Sequence, residues 1–158
     1  MRDAKEGDKA PSFSGKDQDG NTVKLSDFKG KKVVLYFYPE DDTPTCTIQA
    51  CNLRDNYGLL RQEGFEVIGV SPDNPDSHKK FEKKFSLPFR LVADPSHAIL
   101  KKYGVWGEKQ MFGNKYMGVY RTTYLLDEKG VVRKVFLRPK NKAHAEEIVV
   151  AWKALKRS

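Results

Sequence analysis

Apolar residues in this chain gather in short unbroken runs set between turns rich in glycine and proline. Val33-Val34-Leu35-Tyr36-Phe37-Tyr38 reads as a buried strand, Phe65-Glu66-Val67-Ile68-Gly69-Val70 as a second, and Arg90-Leu91-Val92 as a short third. Between the first two the period lengthens. Ile48, Leu53, Tyr57 and Leu60 fall at helical spacing and predict one helix over residues 43 to about 62, closed by Gly64. Ser71-Pro72-Asp73-Asn74-Pro75 leads into a second helix that runs to Phe85, and Asp94-Pro95-Ser96 opens a third that ends at Tyr103-Gly104. Two later strands, over 119–126 and 131–137, join at Asp127-Glu128-Lys129-Gly130, a hairpin signal, and residues 143–155 form a final amphipathic helix. Upstream, Asp17-Gln18-Asp19-Gly20-Asn21 predicts the turn of a short hairpin, and residues 26–30 a brief helical turn. Residues 105–118, punctuated by glycine and carrying Trp106, Met111, Phe112 and Tyr116, predict an ordered loop.

Strands alternating with helices argue for an α/β protein with a central sheet flanked by helices, and the late hairpin makes that sheet mixed. No repeat, low-complexity tract or linker divides the chain, so its 158 residues are expected to form one domain, 1–158. Apolar content of 39% and charged content of 32% fit a polar globular protein. No run approaches the roughly 18 apolar residues that span a bilayer. The stretch Met1-Arg2-Asp3-Ala4-Lys5-Glu6-Gly7-Asp8 has no apolar signal core, so a cytoplasmic location is expected and no membrane partner. The formal charge of +8 comes from lysines and arginines spread along the whole chain. Without a basic face interleaved with aromatics, this reads as a solvated surface with no nucleic-acid partner, able at most to attract acidic partners weakly.

The chain holds two cysteines and three histidines. Two cysteines do not make a four-ligand zinc site, and His78, His97 and His144 form no ligand-spaced pair, so neither metal nor cofactor is expected. Two free thiols leave redox chemistry or inert packing. The surroundings of Cys46 favour chemistry. Thr43 suits an N-cap and Pro44 the first helical position, which sets Cys46 third, where unpaired amides at the positive helix end favour a thiolate, the nucleophilic form. Glu40, Asp41 and Asp42 would oppose that charge at close range and are expected to point to solvent. On an intact helix the Cα atoms of Cys46 and Cys51 stand about 8.7 Å apart, beyond the roughly 7 Å reach of a disulfide. A bond between them requires the first turns to unwind.

Pro39, Thr43 and Cys46, in the pattern P-x-x-x-T-x-x-C after an apolar strand, resemble the active-site signature of peroxiredoxins. The segment YFYPEDDTPTCTIQACNLRD is similar to the bacterioferritin comigratory protein or peroxiredoxin Q subgroup, and the likeness extends over nearly the whole chain, to Gly7 through Phe13, Asp94-Pro95, Tyr103 through Gly107 and Arg121 through Leu126. The resemblance implies a thioredoxin-like fold and an antioxidant peroxidase acting on hydrogen peroxide and alkyl hydroperoxides. It implies that Cys46 becomes a sulfenic acid, that Cys51 condenses with it to an intramolecular disulfide, and that thioredoxin or a similar dithiol reduces that bond. It assigns Thr43 and Arg121 to sulfur and peroxide, and Pro39 to shielding the thiolate. With the resolving thiol in the same chain, a monomer is expected. Two positions depart from the pattern: Gln49 stands where a glutamate usually orients the arginine, and Thr45 where the subgroup often has glycine.

Two other readings compete. A thiol–disulfide oxidoreductase on the same fold would favour C-x-x-C, a closer spacing than Cys46 and Cys51 offer. A non-catalytic binding or holdase module finds its best support in Gln49.

Overall fold

The first hairpin forms where the turn residues place it, with β1 (Ser14–Lys16) and β2 (Thr22–Lys24) antiparallel. Asp17 closes the turn, its Oδ1 accepting from the N–H groups of Asp19 and Asn21. This is seen in a computed structural model that describes residues 4–156, so Met1, Arg2 and Asp3 of the expected leaderless N-terminus lie outside the described residues. A 3-10 turn at Leu25–Phe28 stands where a helical turn was expected. Then follow β3 (Lys32–Phe37), α1 (Pro44–Asp55), α2 (Tyr57–Gln62), β4 (Phe65–Ser71), α3 (Pro75–Phe85), β5 (Arg90–Ala93) and α4 (Ala98–Lys102). The last part comprises β6 (Trp106–Met111), β7 (Asn114–Val119), β8 (Thr122–Leu126), β9 (Val132–Phe136) and α5 (His144–Lys156).

Seven strands make one sheet in the order β2-β1-β5-β4-β3-β8-β9. The three central apolar runs, β3, β4 and β5, pair parallel, while β8 and β9 add antiparallel at one side and β1 and β2 at the other. Strands buried on both faces read as continuous apolar runs because helices or loops cover each face. One face carries Leu35, Phe37, Ile68, Val70 and Tyr124 into a cluster with Ile99 and Tyr103. The other carries Val34, Tyr36, Tyr38 and Val67 against Cys46, Ala50, Leu53, Phe81 and Ile148.

Three expectations are corrected. The helix expected over 43–62 is two helices, because Asn56 interrupts it. Its side-chain Nδ2 donates to the Asn52 carbonyl at 2.9 Å, the same oxygen its backbone N–H reaches at 3.2 Å, so side chain and ladder compete at one acceptor. The loop expected over 105–118 is the hairpin of β6 and β7. Phe112 and Gly113 turn it with φ of 52° and 81°, the two left-handed residues of a tight hairpin turn. Gly107 and Gly118 face one another across it and leave room for side chains lying over the strands: a Cβ at Gly107 would come within 2.6 Å of Tyr120 Oη, one at Gly118 within 2.9 Å of Lys109 Cδ. Finally, the strand expected over 119–126 breaks at Tyr120 and Arg121, so Arg121 stands at a corner rather than within a strand.

Candidate active site

The site lies at the carboxyl ends of the parallel strands. β3 leads through Tyr38 and Pro39 into a loop that turns at Asp42, whose φ of 59° is left-handed, and Pro44 starts α1. β8 runs antiparallel to β3 with Phe37 opposite Thr122, so Arg121, one residue ahead of β8, arrives beside the end of β3. Distant parts of the chain meet because of that register.

Cys46, in the first turn of α1, is 1% exposed. Arg121 Nη2 donates to its sulfur at 2.7 Å, and Arg121 Nη1 donates to Gln49 Oε1 at 3.2 Å. Gln49, one turn along α1, is fully buried. The planar guanidinium thus bridges the thiol and the amide of one helix face, using the fork that distinguishes arginine from lysine. A fixed positive charge at this distance attracts negative charge that develops on the buried sulfur.

Thr43 departs from the N-cap expectation in its side chain. Its carbonyl accepts from Thr47 N–H at 2.8 Å as an N-cap should, but its hydroxyl makes no capping bond and donates instead to the Glu40 carbonyl at 3.1 Å. The hydroxyl proton is spent on the loop, which leaves oxygen lone pairs to accept, and the amides of the first turn take no side-chain cap. Pro39 is half-buried and, with Pro72, Trp106, Tyr116, Met117 and Val119, lines a groove of about 320 Å³ between the loop and the hairpin. Cys51 is half-buried further along α1, and both thiols are free. The structure therefore brings Cys46 and Arg121 together, sets Thr43 and Pro39 on the adjoining loop, and keeps Cys51 within the intact helix.

The expectation that the three acidic residues point to solvent fails for Asp41. Its side chain is only 4% exposed. Tyr38 Oη donates to Oδ1 at 2.5 Å, Ser77 Oγ donates to Oδ2 at 2.8 Å, and His78 Nδ1 lies 2.7 Å from Oδ2. The Asp41 N–H in turn donates to Asp73 at 2.8 Å. His78 Nε2 sits 3.2 Å from the Val92 carbonyl, which only accepts, so Nε2 is the donor there. Burial first, and then the Asp41 charge, hold the Tyr38 phenol well above its usual value. Asp41, Asp73 and His78 offer ligand-type atoms within 4.8 Å of one another, a grouping that sequence spacing did not suggest. Tyr38, Ser77 and Ser71 already donate to those carboxylates, so the cluster serves as the anchor of the active-site loop. Asp42, by contrast, faces solvent and pairs with Lys84 at 2.7 Å.

Lys109 also escaped the sequence reading, because its strand was taken for a loop. Its ammonium donates to the Val119 carbonyl at 3.1 Å. Burial, and then the charge of Arg121, lower its pKa, while Cys46 works the other way. A second cation thus feels the charges of the site.

The AhpC/TSA family model matches residues 6–135. The chain is 43% identical to Peroxiredoxin Bcp of Escherichia coli (strain K12) over 152 residues, 96% of this chain and 97% of that protein. It is 44% identical over 147 residues to Peroxiredoxin Bcp of Bacillus subtilis (strain 168), covering 93% and 94% of the two. Among solved structures, a cysteine-to-serine mutant of Xylella fastidiosa PrxQ superposes with a TM-score of 0.90 at 28% identity, over 98% of each chain. The Xanthomonas campestris bacterioferritin comigratory protein, studied for its alkyl peroxide reduction activity, superposes with a TM-score of 0.84 at 31% identity, over 90% of each. The fold is the thioredoxin-like one that the resemblance implied. Among the described residues, no helix is long and apolar enough to cross a membrane.

Proposed function

The chain belongs to the AhpC/TSA family and is a thiol-dependent peroxidase of the Bcp or Q type, and from that premise we propose that Cys46 is its peroxidatic and Cys51 its resolving thiol. The observation that carries this reading is the 2.7 Å contact from Arg121 Nη2 to a sulfur that water barely reaches. The Cys46 thiolate attacks one peroxide oxygen. An S–O bond forms, the O–O bond breaks, and the departing hydroxide or alkoxide takes a proton to leave as water or alcohol. Arg121 pairs with the negative charge on the attacking sulfur and then follows it onto the leaving oxygen. Thr43, its own proton committed to Glu40, accepts from the peroxide O–H and fixes its approach. The first-turn amides of α1 add donors, and Pro39, lacking an N–H, limits water. The apolar wall of the neighbouring groove, from Trp106 to Val119, supports alkyl hydroperoxides as substrates alongside hydrogen peroxide.

The sulfenic acid on Cys46 then condenses with the Cys51 thiol: an S–S bond forms, the S–O bond breaks and water leaves. Both sulfurs lie in α1, so this step unwinds the first turns. An external dithiol, in our reading thioredoxin, reduces the disulfide by exchange. Since both thiols belong to one chain the cycle closes in a monomer, and two cysteines kept free suit a cytoplasmic enzyme. Gln49, the best support for a holdase module, here accepts from Arg121 as an orienting group would.

The test is hydrogen peroxide consumption with thioredoxin, thioredoxin reductase and NADPH. Cys46→Ser is expected to abolish turnover. Cys51→Ser is expected to oxidise once and then stall with thioredoxin. Peroxide left untouched by the wild type while both thiols stay free would refute the assignment.

A further inference from the structure

Tyr36 carries a polar group that the reaction above does not use. It stands on β3 opposite Gly69 of β4, and its ring lies so close over that glycine that a Cβ there would come within 2.8 Å of Cζ and 2.9 Å of Oη. Tyr38 stacks on the ring at 5.4 Å and Phe89 meets it edge-on at 6.1 Å. These neighbours fix where the hydroxyl sits. It is 1% exposed as a residue, and its hydroxyl has no hydrogen-bond partner among the described residues. Its buried counterparts are satisfied: Tyr38 donates to Asp41, Tyr103 to the Pro11 carbonyl at 2.6 Å, and Tyr124 to the Tyr103 carbonyl at 3.4 Å. A buried hydroxyl without a partner is uncommon enough to need a reason.

Its position suggests one. Tyr36 packs in the cluster that α1 covers with Cys46, Ala50 and Leu53. Burial first, and then the nearby Cys46 sulfur, hold its pKa well above the usual value, so it remains a neutral O–H donor. A second orphan lies on α1 itself, where the fully buried Gln49 leaves Nε2 unpartnered. Both unsatisfied groups belong to the layer between the sheet and the first half of α1, the segment that the Cys46–Cys51 disulfide requires to unwind.

We propose that Tyr36 is a positioning residue for the resolving step, its unpartnered hydroxyl disfavouring the wound state of α1 and gaining a partner when residues 46–50 unwind. It exchanges neither electrons nor protons with the sulfurs. Condensation of the Cys46 sulfenic acid with the Cys51 thiol still releases one water, and Tyr36 acts only on how often the two meet. The inference rests on the two-cysteine reading above.

An orphaned buried donor shifts an equilibrium by about 5- to 150-fold. Tyr36→Phe removes one oxygen and keeps the ring. After one equivalent of hydrogen peroxide, rapid quenching and mass spectrometry follow Cys46 sulfenic acid, disulfide and sulfinic acid. The variant is expected to form sulfenic acid at the wild-type rate, to form the disulfide at least about fivefold more slowly, and to give correspondingly more sulfinic acid under excess peroxide. Tyr103→Phe, which loses a bonded hydroxyl, is expected to partition like the wild type. Disulfide formation by Tyr36→Phe within about twofold of wild type would overturn the proposal, as would equal slowing in Tyr103→Phe. A wild type that oxidises at Cys46 but never forms the Cys46–Cys51 disulfide would instead remove the reading beneath it.

Discussion

Replacing Arg121 with methionine separates what the arginine does for chemistry from what it does for the fold. The side chain keeps much of its apolar reach and loses both its charge and its donors. At the sulfur, one charge-assisted hydrogen bond of 2.7 Å disappears from a group that is 1% exposed. A hydrogen bond to a charged group contributes about 1.5–3 kcal/mol. Removing a preorganised donor aimed at developing charge typically slows a reaction by about 10²–10³. The second-order rate of Cys46 oxidation by hydrogen peroxide, followed by stopped-flow tryptophan fluorescence, is therefore expected to fall by about 10²–10³. At the amide, Gln49 loses the donor at 3.2 Å while fully buried, and its Nε2 already has no partner. An amide orphaned at both ends costs about 1–3 kcal/mol. For a chain of this size that lowers the melting temperature by about 2–12 °C.

The two effects part in the double variant Arg121→Met with Gln49→Leu. Leucine fills a similar volume without polar atoms, so thermal stability is expected to return while peroxide reactivity stays low. Arg121→Met reacting within about tenfold of the wild type would refute the electrostatic role of Arg121. Recovery of both stability and rate in the double variant would show that Arg121 matters only by satisfying Gln49.

Asp41→Ala removes the shared acceptor of Tyr38, Ser77 and the fully buried His78, so urea unfolding is expected to register a loss of about 3–5 kcal/mol, and a loss near zero would contradict the anchoring role. Burial pushes the Glu147 carboxyl up, but bonds from His144 Nδ1 at 2.9 Å and Lys140 N–H at 2.5 Å outweigh it and hold its pKa below the usual 4.5. A folded value below the unfolded one stabilises above about pH 4.5 and is lost as pH falls through the folded value; Glu147→Gln is therefore expected to be less stable than wild type at pH 7, with the gap closing in acid, and a gap unchanged at pH 3 would refute this. Hydrogen exchange of the disulfide form is expected to lose protection at the amides of residues 48–51 and to keep it at Asp55 and Asn56, whereas loss through Asn56 would place the hinge elsewhere.

What could be read in the sequence followed how local its cause was. The central strands show as apolar runs because they are buried on both faces, and the start of α1 shows because Thr43 and Pro44 act within one turn. The break at Asn56 was hidden, since nothing in the apolar spacing reveals a side-chain amide competing for the Asn52 carbonyl. The β6–β7 hairpin was hidden because its glycines, read as loop punctuation, make room for Tyr120 and Lys109. Asp41 looked like a surface acid until α3 brought Ser77 and His78 to it and the end of β4 brought Asp73. Arg121 reached the candidate list only by resemblance, since its place beside Cys46 depends on the β3–β8 register and leaves no local trace.

That α1 ends at Asn56 bears on how one helix serves two opposed needs. In the proposed cycle, oxidation of Cys46 requires the first turn intact, with its amides and Arg121 around the sulfur. Condensation with Cys51 requires that turn undone. Twelve residues are too few for a helix to hold by itself in water, so tertiary contacts decide which part stays wound. Those contacts are uneven. Asn52 donates to the Lys142 carbonyl at 3.0 Å and accepts from Ala145 N–H at 2.8 Å, Leu53 is fully buried, and Arg54 donates to the Phe85 carbonyl at 2.8 Å. Ahead of Asn52, Cys46, Gln49 and Ala50 are buried while Thr45 and Ile48 are exposed, and among the described residues the side-chain hydrogen bonds that tie this half to the rest of the fold are those of Arg121 to Cys46 and Gln49. Cys51 therefore borders the half held by several hydrogen bonds, and Cys46 lies in the half whose side-chain hydrogen bonds, among the described residues, run through Arg121. In the proposed cycle, oxidation of Cys46 sets a neutral sulfenic acid where the charged nucleophilic sulfur faced Arg121, so the first step of the chemistry weakens a contact that holds the first turn.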